Sequence, residues 1–536
     1  MILALFAGTL PAQDRLLSIR DGRFNVSRVV PDVNGDGYSD LVVGAWQTGG
    51  VLEGRVRLYS GRDLRTCWGV MGTGPGAALG YSLASITDLD ADGCHEILAG
   101  APFGAGANGG SGYVAVLSGR TGTRLTTLSG PARSRYFGSA TTVVSDLDGD
   151  GLEDIIVGAP MTSAGALETG EVYALSSKAG KVLYSVVGTG FRPKLGTSVA
   201  RLGDVDGDGI DDYVAGSPDE SGTLLGSGSV TVISGRSGTV LYKLWGSTVN
   251  GHFHAVAGLG DLDGDGCHDF IVGADETTTL RNPGYAQVYS GRSGRLLYRV
   301  VGDGAGDQFG LTVSSLGDID GDRIPDFAVG APQGGAILPA GGGYVRLFSG
   351  KSGKVLSTIR AQPGESWFGV SIGGGGHDFD QDGSPDLVIS GVQFKDTLMS
   401  EHIYSTRPVQ LLTDTYTLPL GQGGTQTLTL DAGTAHANRA YWLLGSVTGT
   451  RVGIQLGGLR LPLDFDAYTR ALLAVPNPPF LPAARGALDA SGRATVQFVL
   501  PPAVSDIPPF TLHHAFLVFD SSGPVLASNP AWLRLQ

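Results

Sequence analysis

The chain has 536 residues and a formal net charge of −14, with 51 acidic side chains against 37 basic ones. That balance excludes a nucleic-acid binder and a partner of anionic membrane surfaces, both of which need basic patches. Glycine is very frequent at 87 residues, charged residues are only 16% and aromatics 8%, so the acid must be concentrated somewhere, and the length leaves room for two or more domains.

Residues Met1 to Gln13 read MILALFAGTLPAQ, an apolar run with a small-residue exit at Ala12. This reads as the remnant of a secretory signal peptide without its positive n-region, and it points to a secreted or cell-surface protein. No later run is apolar enough for a membrane span. The three cysteines, Cys67, Cys94 and Cys267, form no disulfide framework and read as small buried hydrophobes.

From residue 32 one acidic motif recurs seven times: Asp32–Asp40, Asp88–Glu96, Asp146–Asp154, Asp204–Asp212, Asp261–Asp269, Asp318–Asp326 and Asp378–Asp386. The start-to-start spacings are 56, 58, 58, 57, 57 and 60 residues, which is the signature of a repeat architecture. Each loop is followed by an apolar triplet, such as Leu41-Val42-Val43 or Ile155-Ile156-Val157, predicted as a strand buried on both faces. A Gly-Ala-Pro turn follows (Gly100-Ala101-Pro102, Gly158-Ala159-Pro160, Gly330-Ala331-Pro332). Next come a strand such as Tyr344–Phe348, a Ser-Gly-Arg or Ser-Gly-Lys turn, and a fourth strand such as Leu296-Leu297-Tyr298. A Phe-Gly or Leu-Gly step (Phe137-Gly138, Leu195-Gly196, Phe309-Gly310, Phe368-Gly369) opens the next unit. Four strands per unit cannot bury both faces alone, whereas packing several units around an axis can, so the expected fold is all-β, a seven-bladed β-propeller. Leu16 to Ile19 aligns with a fourth strand, and the seventh unit ends on its third at Glu401–Ser405, so the N-terminal strand is expected to complete the last blade and remove an exposed edge.

Within each loop, alternate residues of a tight turn converge their oxygens on one centre. Asp204, Asp206, Asp208 and Asp212 offer carboxylates and Ile210 its backbone carbonyl, a hard-oxygen set suited to calcium. The equivalent sets are Asp32, Asn34, Asp36, Tyr38 and Asp40; Asp88, Asp90, Asp92, Cys94 and Glu96; Asp146, Asp148, Asp150, Leu152 and Asp154; Asp261, Asp263, Asp265, Cys267 and Asp269; Asp318, Asp320, Asp322, Ile324 and Asp326; and Asp378, Asp380, Asp382, Ser384 and Asp386. Three carboxylates in the first loop and four in each of the others account for 27 of the 51 acids. Crowded carboxylates repel unless a cation neutralises them, so up to seven Ca²⁺ are expected, and their charge would cancel the formal −14. No EF-hand is implied, because position 12 is a strand residue in every copy. Arg323 stands where the sixth loop should have a glycine, which predicts the weakest site there.

The Phe-Gly step, the acidic loop and the Gly-Ala-Pro turn, in that order over residues 14–408, resemble the FG-GAP repeat family, best known from the integrin alpha-subunit β-propeller. The resemblance is sharpest in the second to sixth units. In the first, Phe24-Asn25 replaces Phe-Gly, and in the seventh Ser390-Gly391-Val392 replaces Gly-Ala-Pro.

After Arg407 the repeat stops. Residues 409–536 carry period-two runs such as Thr425–Leu430, Ala494–Val499 and His514–Phe519 between Pro-rich turns, which predicts a small C-terminal β-sandwich. His513 and His514 read as surface or turn residues. No nucleophile, zinc or phosphate-loop motif occurs. The expected function is an extracellular, monomeric calcium-binding platform for adhesion to a protein or carbohydrate ligand, held by the turns that follow Gly-Ala-Pro, such as Met161–Gly170 and Gln333–Gly343. The alternative is a calcium-dependent polysaccharide lyase or hydrolase on the same scaffold.

Overall fold

The computed structural model describes residues 15–20, 25–47, 52–61, 65–106, 109–164, 166–276, 282–320, 322–333, 342–361, 365–379, 385–393, 399–405, 410–413, 417–420, 422–432, 436–448, 454–456, 459–461, 463–475, 477–502, 510–520, 523–528 and 531–535. The Met1–Gln13 segment therefore lies outside the described residues.

The apolar triplets show why these units become sheets. Leu41, Val42 and Val43 are at most 1% exposed, and Ile155, Ile156 and Val157 are fully buried. Val42 packs toward the second unit while Leu41 and Val43 pack toward the seventh. A strand apolar on both faces is stable only between two neighbours, and each such side chain contributes about 1.5–3 kcal/mol by leaving water.

Among the described residues the repeat region forms seven four-stranded antiparallel sheets. In six of them the strands lie in chain order; the second sheet, for example, runs Leu83–Ile86, Glu96–Ala105, Ser111–Leu117, Arg124–Leu128. The seventh takes its fourth strand from the N-terminus: Arg15–Arg20 pairs antiparallel with Met399–Ser405, with Ile19 opposite Glu401. The sheets form a closed cycle. The first strand of each, from Asn25–Val30 through Leu83–Ile86, Ala140–Val144, Ser198–Gly203, Phe253–Gly258 and Thr312–Gly317 to Glu365–Gly373, touches the first strand of the next, and the last touches the first. Seven apolar clusters bind consecutive sheets, the one between the seventh and the first holding Val29, Tyr59, Phe379 and Ile403. This all-β arrangement of four-stranded sheets is that of a propeller.

The two glycines of the repeat meet across this ring. A Cβ on Gly158 would lie 2.0 Å from the carbonyl oxygen of Gly196, and one on Gly273 would lie 2.0 Å from that of Gly310. The second glycine of each pair holds a left-handed backbone, φ +88° at Gly196 and +94° at Gly310. Where the fifth sheet has Phe253-His254 instead of Phe-Gly, Gly216 approaches the His254 carbonyl in the same way.

Beyond the repeats, a three-stranded and a six-stranded sheet share a core that includes Leu428, Leu443, Phe516 and Leu533. One helix, Ala467–Ala474, was not anticipated; it is capped by Asp466, whose carboxylate accepts from the Thr469 amide, with the Thr469 side chain returning the bond. His514 corrects the sequence reading: it lies fully buried in the strand Phe510–Asp520, with the Tyr468 hydroxyl 2.9 Å from Nε2, and burial pushes its pKa down to about 3. Of the cysteines, Cys94 and Cys267 are buried as expected, and Cys67 is exposed. Among the described residues no helix is long and apolar enough to cross a membrane.

Candidate metal centre

Each acidic loop joins the first two strands of a sheet, and its curl is written into its hydrogen bonds. In the fourth loop Asp204 Oδ1 accepts from the amides of Gly207 (2.7 Å) and Asp208 (3.0 Å), and Oδ2 accepts from Gly209 (2.7 Å). Asp206 Oδ1 accepts from the Asp208 amide and Asp208 Oδ1 from the Ile210 amide. Both glycines have positive φ, +84° and +86°, a conformation cheap only for glycine. The first, third and ninth side chains are thereby turned toward one another.

In five loops the described residues bring three carboxylates together: Asp88, Asp90 and Glu96; Asp146, Asp148 and Asp154; Asp204, Asp206 and Asp212; Asp261, Asp263 and Asp265; Asp318, Asp320 and Asp326. Two oxygens bound about 2.4 Å from one calcium ion stand at most about 4.8 Å apart, and in each group the ligand oxygens lie within 4.8 Å of one another. The donor set is carboxylate oxygen throughout, which suits a hard cation. Glu96 adds an independent sign: its Oε2 is buried and has no hydrogen-bond partner, and a buried carboxylate oxygen without a donor is one that a cation would satisfy. The residues therefore fit calcium.

The first and seventh loops differ. In the first, Asn34 has a single side-chain oxygen, which accepts from the Asp36 amide (2.9 Å), while its Nδ2 donates to Asp40 Oδ1 (2.7 Å). In the seventh, Asp380, Asp382 and Ser384 lie outside the described residues; Asp386 is buried and accepts from the Phe379 amide (2.7 Å). In the sixth, Arg323 adopts φ +71° and its amide donates to Asp318 Oδ2 (2.8 Å), the bond a glycine amide makes elsewhere, while its side chain is exposed. Ala91 holds a similar left-handed backbone, φ +64°, in the second loop.

Two features of the centre were not read from the sequence. The ninth carboxylate is fully buried and ties its loop to the Ser-Gly-Arg turn of the same sheet. Asp212 Oδ2 accepts from Val205 (2.9 Å) and Oδ1 from the Gly235 amide (2.9 Å), and Asp269 and Asp326 do the same with Gly291 and Gly350. Burial outweighs these donors and pushes Asp40 and Glu96 up to about 7, and Asp212, Asp269 and Asp326 up to about 6. Second, the cation after Ser-Gly pairs with the fifth-position carboxylate: Arg120 with Asp92 (3.6 Å), Arg236 with Asp208 (3.0 Å), Arg292 with Asp265 (3.7 Å) and Lys351 with Asp322 (3.7 Å). The turn is also held by the preceding sheet, where Trp68 donates to the Gly119 carbonyl, Tyr184 to that of Gly235 and Tyr298 to that of Lys351, each at 2.6 Å. The signal for this was present in the recurring Ser-Gly-Arg, but its partner is remote in sequence.

Comparisons with known proteins find the same repeat in part of the chain. The FG-GAP repeat family matches residues 26–56, 79–117, 137–175 and 309–348. Integrin alpha-8 of Mus musculus is 34% identical over 212 residues, 37% of this chain and 19% of the relative. Integrin alpha-5 of Xenopus laevis is 34% identical over 231 residues (40% and 21%), and Integrin alpha-V of Gallus gallus 30% over 233 residues (40% and 21%). The alignments thus span about one fifth of the length of these relatives. Among solved structures, the BBS1N chain in a crystal structure with ARL6DN aligns over 73% of this chain and 98% of its own, with a TM-score of 0.45 and 13% identity. The chain therefore carries FG-GAP repeats in four places, and the curated relatives it resembles are integrin alpha subunits.

Proposed function

We propose that residues 14–408 form a seven-bladed propeller whose loops hold up to seven Ca²⁺, that residues 409–536 form a separate β-sandwich, and that the whole is a secreted or cell-surface, monomeric platform for adhesion to a protein or carbohydrate. The observation that carries the reading is the convergence of three carboxylates in each of five loops. The remaining ligands would be the fifth-position carboxylates and the backbone carbonyls at position seven, Tyr38, Cys94, Leu152, Ile210, Cys267, Ile324 and Ser384. Bound calcium would supply charge neutralisation and a rigid loop, and the loop's ties to the Ser-Gly-Arg turn would pass that rigidity to the neighbouring blade.

Antiparallel strands put the acidic loops and the Ser-Gly-Arg turns at one end of every sheet and the Gly-Ala-Pro and Phe-Gly turns at the other. The second end exposes large apolar side chains, among them Phe103 (41%), Leu167 (55%), Phe191 (79%) and Leu225 (71%). Exposed apolar groups gathered at one end mark an interaction surface, and it includes the Met161–Gly170 turn; residues 334–341 of the other expected turn lie outside the described residues. The test is a protein and glycan array probed with the full chain in calcium and in chelator. A calcium-dependent protein or glycan ligand is expected. Absence of any ligand, together with cleavage of an acidic polysaccharide, would replace this reading by the lyase or hydrolase.

A further inference from the structure

The seven first strands surround a cavity of about 400 Å³, a size that admits a small ligand. No carboxylate lines it among the described residues, and Arg28 is the permanently charged side chain on its wall. Arg28 Nη1 donates to the backbone carbonyls of Ser27 (3.1 Å) and Ile372 (2.8 Å). Its Nε and Nη2 donors have no acceptor among the described residues. Burial with no facing carboxylate lowers its pKa. A half-buried guanidinium with no facing carboxylate is costly, and a bound carboxylate would offset that cost.

The rest of the wall narrows the ligand. Ser82, Ser139, Thr197 and Thr312 line the cavity, and each gives its proton to a backbone carbonyl: Gly138 (2.9 Å), Tyr136 (2.8 Å), Lys194 (2.8 Å) and Gly369 (2.7 Å). Their remaining lone pairs accept from a hydroxylated ligand and repel a bare inorganic anion. Trp46 and Tyr81 also line the cavity, with ring centroids 5.1 Å apart; the arc continues through Phe103 (5.9 Å) to Tyr136 (4.8 Å). Aromatic faces carry negative charge and attract the polarised C–H face of a pyranose.

We infer that this cavity binds an acidic sugar residue, a uronate, with its carboxylate on Nε and Nη2 of Arg28, its hydroxyls donating to the serine and threonine oxygens, and its apolar face on Trp46 and Tyr81. The inference deepens the binding reading above and rests on it. It is tested by calorimetric titration of the calcium-loaded full chain with sodium glucuronate, glucuronate methyl ester, glucose and sodium acetate. Glucuronate is expected to bind at least roughly tenfold more tightly than the other three, because only it offers both the bidentate anion and the ring. Arg28→Met and Tyr81→Ala should each weaken it by roughly tenfold, and Arg28→Lys by less, since the charge survives and the fork does not. Should Arg28→Met fail to fold, the other two variants carry the test, with thermal midpoints as the folding control. Absent glucuronate binding, equal binding of glucose or acetate, or indifference to Arg28→Lys and Tyr81→Ala would each overturn the inference. A ligand found on the arrays that ignores Arg28→Lys would leave the platform reading standing and sink this one alone; arrays without any ligand would sink both.

Discussion

The ninth-position carboxylates set the response to pH. Without metal, burial holds Asp40 and Glu96 at about 7 and Asp212, Asp269 and Asp326 at about 6, against about 4 in an unfolded chain. Between about pH 4 and 7 the folded state then binds more protons than the unfolded one, so stability falls as pH rises through that window. Calcium needs the same groups ionised, and acid competes with it, so in calcium the slope should reverse. Denaturant midpoints at about pH 5 and about pH 7.5, in chelator and in calcium, check this; slopes of equal sign would contradict it. Arg323 makes the sixth loop a second residue-scale test. Its left-handed backbone costs about 1 kcal/mol relative to glycine, so Arg323→Gly should raise stability by about that amount and tighten calcium at that loop. An unchanged thermal midpoint would show that the loop bears no strain.

The glycine pairs carry the argument for the sheets. A methyl on Gly158 would strike the Gly196 backbone at 2.0 Å, whereas one on Gly149 would meet nothing within 4 Å despite a φ of +82°. Gly158→Ala should therefore cost about 3 kcal/mol, an overpacking penalty against backbone that cannot turn aside, and Gly149→Ala about 1 kcal/mol. Equal losses in urea melts would contradict the pairing. The four-strand unit was legible because a strand squeezed between two neighbours must be apolar without alternation, as Leu41-Val42-Val43 is. The Gly158–Gly196 contact was not, because each glycine reads alone as a turn and their meeting is a property of two sheets. The helix Ala467–Ala474 was missed because eight residues are too few to establish a period, and its only strong signal is the cap at Asp466. Buried His514 was missed although it opens the run His514–Phe519, because a histidine reads as polar until the packing around its strand is seen. The acidic loops were legible as a repeat, since repetition multiplies a weak local signal, and in five of them three of the expected carboxylates converge. Arg28 was not, because a lone arginine in a strand shows its partners only once the ring encloses it.

For the whole molecule, closure and calcium act together. Arg15–Arg20 covers the edge that Met399–Ser405 would otherwise expose, so removing residues 1–20 should lower the thermal midpoint and promote association through the freed edge; a monomer with an unchanged midpoint would contradict the role of that strand. In a ring of repeats, stability is shared among neighbours, so Asp206→Ala should remove one bound ion and lower the midpoint by a few degrees while the chain still folds. Complete loss of soluble protein would instead assign the fold to one loop. The central claim is that the acidic loops are calcium sites belonging to the folded state. A ligand that binds only the folded chain stabilises it by mass action, about 2.7 kcal/mol per site at a hundredfold excess over Kd. The most direct measurement is the thermal midpoint of the full chain in calcium, in magnesium at the same concentration, and in chelator. A midpoint raised by more than about 5 °C in calcium, with little change in magnesium, is the predicted result; the same midpoint in calcium and in chelator would contradict it.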